Sequence, residues 1–60
     1  MNVIFTKNGG RWKFYAFVSN TEHLQSELDH LKEQNISAMT QPVTSFDADQ
    51  IHELETKLNA

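Results

Sequence analysis

The sequence predicts an α+β fold: a two-layer ββαβα sandwich, its three-stranded sheet in the order 2-1-3, with both helices on one face. Three observations carry this. Two β-type runs flank Asn8-Gly9-Gly10, a leucine repeat at helical spacing follows, and a second helical stripe comes after Pro42.

Asn-Gly is a strong hairpin signal, because a type I′ turn needs positive φ at both central residues. With Asn8-Gly9 as the loop, Thr6 faces Arg11, Phe5 faces Trp12 and Val3 faces Phe14; a Gly9-Gly10 loop shifts each pair by two and leaves the faces unchanged. One face then carries Val3, Phe5, Trp12, Phe14, Ala16 and Val18. The other carries Ile4, Thr6, Arg11, Lys13, Tyr15 and Phe17. A bulge would mix the two sets.

Ser19 and Glu22 have capping-box spacing, with Asn20 as a competing cap. Leu24, Leu28 and Leu31 repeat at i, i+4, i+7, and Asn35 can adopt the left-handed conformation that ends a helix. The first helix is therefore expected over residues 20–34. A weakly alternating strand over 36–41 follows, and Pro42 confines it to an edge because proline donates no ladder hydrogen bond. Asp47 and Gln50 repeat the capping-box spacing, Phe46 and Ile51 that of a hydrophobic staple, and Ile51, Leu54 and Leu58 form the apolar stripe of the second helix. Strand, helix and strand from residue 11 to 41 make a crossover, which places the first strand in the middle of the sheet. Each helix has one narrow apolar stripe, so both are expected over the same sheet face, leaving the other face bare.

Sixty residues form a single domain, 1–60. With 38% hydrophobic and 22% charged residues the chain is globular rather than disordered. A domain this small buries only about 60% of its unfolded surface, so a staple or a partner is expected. There is no cysteine, which removes disulfides, thiolate catalysis and thiolate metal sites and fits a reducing cytoplasm, where the protein is expected to work. The longest strongly apolar stretch, residues 14–18, is too short to span a membrane, and residues 1–5 do not read as a secretory signal. The net charge of −3 divides unevenly: residues 1–18 carry +3 (Lys7, Arg11, Lys13) and residues 19–60 carry −6.

His23, Glu27 and His30 share a helical stripe, but the two histidines lie about 10 Å apart along the axis. That is too far for both to reach one ion at about 2 Å, so no metal is expected. No serine or threonine sits in a nucleophile motif, and Glu53 and Glu55 diverge on their helix, so neither an enzyme nor a cofactor is expected. The stretch from Arg11 to Phe17 interleaves cations with aromatics, as single-strand nucleic-acid binders do. Alternation separates the two sets, and eight acids repel phosphate, which makes nucleic acid the alternative reading.

Residues 17–36, from Phe17-Val18-Ser19-Asn20 through Leu24, Leu28 and Leu31-Lys32 to Ile36, resemble the strand–helix unit of SPOR peptidoglycan-binding domains. The final strand of those domains has no counterpart here, and no function is carried over.

Ile4, Arg11, Lys13, Tyr15 and Phe17 are therefore the expected contact residues on the bare sheet face. Apolar clusters with a charged rim mark protein contacts, and Tyr and Arg are enriched at hot spots. The chain is expected to be a small regulatory or inhibitory protein-binding module, of phage-accessory type by analogy. A homodimer is the expected form, because burying the bare face against a second copy would relieve the small core.

Overall fold

The computed structural model describes residues 1–45 and 47–60. The elements run β1 (Asn2–Asn8), β2 (Arg11–Val18), α1 (Thr21–Glu33), β3 (Ala38–Pro42) and α2 (Ala48–Leu58). Gly9 and Gly10 form the hairpin loop at φ +63° and +85°, a conformation that side chains with a Cβ resist. Asn8 thus pairs with Arg11 and Phe5 with Phe14. The sheet order is β2-β1-β3 with both pairings antiparallel, as the sequence predicts.

The hairpin contains an irregularity that moves half of β2. Ile4 pairs with Ala16 while its neighbour Phe5 pairs with Phe14, so Tyr15 is an extra, unpaired residue in a bulge. Beyond the bulge the parity of β2 inverts. Phe17 joins Trp12, Val3 and Phe5 on one side, whereas Val18 joins Ile4 on the other.

This inversion corrects the two-layer arrangement with both helices on one face. Helix α2 packs Ile51, Leu54 and Leu58 against Val3, Phe5, Val43, Phe17 and Met39. Helix α1 packs Leu24, Leu28 and Leu31 against Ile4, Val18 and Ala38. Val3 and Ile4 are successive residues of one strand and point to opposite faces, so the helices sandwich the sheet between them. The physical reason is the unbroken apolar run Val3-Ile4-Phe5, whose side chains are all fully buried. A strand without polar alternation needs cover on both sides.

Asn20, not Ser19, caps helix α1: the Asn20 Oδ1 accepts from the N–H groups of Glu22 and His23 at 2.8 and 3.3 Å. It ends in a Schellman motif: Ile36 N–H donates to Leu31 O, Asn35 N–H donates to Lys32 O, and Asn35 takes φ +59°. At the start of α2 the Asp47 carboxylate accepts from Asp49 N–H at 3.0 Å. Phe46, expected to staple onto Ile51, lies outside the described residues.

Because Ile4 is buried beneath α1, Ile4→Ala is expected to cost about 3 kcal/mol through lost burial and a residual cavity. Urea unfolding followed by circular dichroism measures this; a loss below about 1 kcal/mol is the surface-residue outcome and would contradict a covered face.

Candidate functional site

The five residues expected on one bare face do not share one. Ile4 has no exposed surface and belongs to the core under α1. Phe17 is partly buried against the α2 core, on the opposite side of the sheet. Both displacements follow from the covering of each face by a helix and from the bulge at Tyr15. Arg11, Lys13 and Tyr15 remain exposed, and all three belong to β2, an edge strand. The accessible chemistry therefore lies along the rim of the sheet.

Two aromatic rings mark this rim. Phe14 is 40% and Tyr15 43% exposed, adjacent in sequence at the bulge. Arg11 and Lys13 pair with Asn8 and Thr6, which puts them on the α1 side of the sheet with Ile4. Tyr15 turns to the same side, where its hydroxyl donates to Glu27 Oε2 of α1 at 3.4 Å. Neither Arg11 nor Lys13 has an ion-pair partner among the described residues. Lys7 Nζ instead stands 5.8 Å from the centroid of the Trp12 ring, within cation–π range.

At Trp12 and Phe14 the outward backbone of β2 is closed by the side chains of Asn59, which caps α2, and of Glu55 within it. Asn59 Oδ1 accepts from Trp12 N–H at 2.7 Å while Asn59 Nδ2 donates to Trp12 O at 2.9 Å, so one carboxamide fills both outward positions of that residue. Its Nδ2 also donates to Glu55 O in its own helix at 2.9 Å. Two residues along β2, Glu55 Oε2 accepts a longer bond from Phe14 N–H at 3.4 Å. An edge strand otherwise offers its backbone to any passing strand. At Trp12 and Phe14 the rim therefore presents side chains rather than a ladder.

Beside the rim lies an open cleft of about 440 Å³ lined by Tyr15, Phe17, Asn20, His23 and Glu27, with no lysine or arginine in its wall. Glu27 Oε1 lies 4.0 Å from His23 Nε2, and the glutamate side chain is 31% exposed. A second cleft, of about 340 Å³, sits at the hairpin end among Lys7, Arg11, Trp12 and Asn59.

His23 and His30 do not converge. His23 stands by Glu27, whereas His30 Nε2 is within 3.1 Å of Gln34 Nε2, a turn further on. Among the described residues no three His, Asp or Glu side chains form a group that could hold a metal ion. Among the described residues no helix is long and apolar enough to cross a membrane.

Comparison of the chain with protein-family models, with curated proteins and with solved structures finds no match.

Phe14, Glu27, Glu55 and Asn59 join the site only through tertiary structure. Regular alternation put Phe14 in the core, and nothing in a linear reading brings Asn59 to Trp12. A signal for the bulge was present in the unbroken run Phe14-Tyr15-Ala16-Phe17-Val18, which no single-faced strand accommodates.

Asn59→Ala removes both bonds to Trp12 and leaves a part-buried N–H and C=O without their partner, at an expected cost of about 1–3 kcal/mol. Amide hydrogen exchange checks the mechanism: Trp12 N–H should lose protection while the amides of β1 keep theirs. Unchanged protection at Trp12 would show that the carboxamide does not close the edge.

Proposed function

We propose that this chain is a non-catalytic, regulatory protein-binding module that works by contact through the rim of β2 and self-associates as a homodimer. The observation carrying this reading is the pair of adjacent, substantially exposed rings at Phe14 and Tyr15, flanked by the cations Arg11 and Lys13, which have no ion-pair partner among the described residues. Aromatic groups ringed by charge are the composition of a protein contact, and Tyr and Arg lead among residues that carry binding energy.

The surface area supports the same reading. A folded chain of 6.9 kDa ordinarily exposes about 4,000 Å². This one exposes 4292 Å², and seven hydrophobic residues are buried among the described residues. An interface of standard size, about 800 Å² per partner, would cover roughly a fifth of that surface. Self-association thereby supplies what a core this small lacks. The contact set narrows from the five residues the sequence suggested to Arg11, Lys13, Phe14 and Tyr15.

Single-stranded nucleic acid is the competing ligand, favoured by the collection of Lys7, Arg11 and Lys13 at one end of the hairpin. The Glu55 carboxylate at Phe14 N–H and the net charge of −3 work against it, since both repel phosphate.

Size-exclusion chromatography with light scattering should give twice the monomer mass for the wild type and the monomer mass for Phe14→Asp/Tyr15→Asp, with far-UV circular dichroism unchanged. A wild type that stays monomeric up to millimolar concentration would exclude the dimer. Salt-sensitive binding of a labelled oligonucleotide, abolished by Arg11→Glu, would transfer the rim to the competing reading.

A further inference from the structure

We infer that the second copy docks rim against rim about a two-fold axis, so that Arg11 and Lys13 of each copy enter the Tyr15–Glu27 cleft of the other. This rests on the contact reading of the rim and adds the orientation and the pairing. Three observations select it.

The first is complementarity within one patch. Arg11 and Lys13 have no ion-pair partner among the described residues, and the wall of the neighbouring cleft contains a carboxylate and a tyrosine but no cation. Glu27 is accessible from that cleft, and the Tyr15 ring beside it is 43% exposed. A carboxylate next to an aromatic ring suits a guanidinium or ammonium group, which gains an ion pair and a ring contact together. In an isologous dimer such a patch is used twice, because each contact is repeated by symmetry.

The second is order along the strand. Arg11 and Lys13 precede Tyr15 on β2, so a two-fold axis crossing the rim between the cations and the cleft carries the cations of each copy onto the cleft of the other.

The third is sidedness. Arg11, Lys13, Tyr15 and Glu27 all lie on the α1 side of the sheet. A two-fold axis perpendicular to the sheet keeps the α1 sides of both copies together, so cations and clefts meet without either copy turning over. Asn59 and Glu55 cover the outward backbone at Trp12 and Phe14, and the bulge interrupts the strand beyond them. The contact is therefore made by side chains and not by a continuous six-stranded sheet. An exposed ion pair of this kind weakens as salt shortens the screening length to about 8 Å at physiological strength.

The test uses two charge-reversed full-length variants, Glu27→Lys and Arg11→Glu/Lys13→Glu. Each alone is expected to be monomeric by light scattering, with at least a ten-fold weaker association constant than the wild type and an unchanged circular dichroism spectrum. Mixed in equal amounts they should form a one-to-one heterodimer, since native cations then meet the native Glu27 at one cleft and reversed charges meet Lys at the other. A mixture that stays monomeric, or a Glu27→Lys variant that dimerises as the wild type does, overturns the pairing. If the wild type dimer is lost in Phe14→Asp but kept in Glu27→Lys, the rim remains the contact surface and only the pairing fails. A monomeric wild type removes both.

Discussion

Everything in this molecule is arranged around the need of one strand to be covered twice. Val3, Ile4 and Phe5 follow one another in β1, and a pleated strand points successive side chains to opposite faces. No single layer can take all three out of water. With β1 central and its three apolar side chains fully buried, one helix must come from each side. Each helix has only a narrow stripe to give, and each stripe meets one parity of the strand.

The bulge at Tyr15 lets β2 serve this arrangement while remaining an edge. Had β2 alternated regularly, Trp12, Phe14, Ala16 and Val18 would all have gone to one helix. Inserting one residue sends Phe17 to α2 and Val18 to α1, so that both helices find apolar side chains at the end of the strand. The inserted residue itself is left at the surface, and it is a tyrosine reaching the Glu27 carboxylate on α1. Core packing and surface chemistry are thus coupled through a single step in register. A residue displaced from the ladder for the sake of the core becomes the accessible aromatic of the rim.

Much of this was readable without a structure. Asn8-Gly9-Gly10, the leucine repeat, Asn35 and Pro42 each fix a local conformation through their own covalent chemistry, and the element order and strand order follow from them. The placement of the helices was not readable from the same signals, because one residue of slip exchanges faces while leaving composition untouched. The run Val3-Ile4-Phe5 did contain the information, since three consecutive apolar residues exceed what one face holds. Of the contact residues, Arg11, Lys13 and Tyr15 were legible because charge and a phenol rarely go inside together. Ile4 and Phe17 were misplaced by the assumed parity, and Glu27, Glu55 and Asn59 reach the rim only through tertiary packing.

The carboxamide of Asn59 behaves toward Trp12 as a neighbouring strand would, with one donor and one acceptor at the right spacing. A substitute strand made of one side chain is only as durable as its amide bond. Asparagine is among the thermolabile residues. Hydrolysis to aspartate would retain the acceptor and delete the donor, turning a carboxylate toward the Trp12 carbonyl. The security of this edge would then be governed by the chemical age of the molecule as well as by its folding equilibrium. An old population would leave the Trp12 carbonyl without the donor that a fresh one supplies.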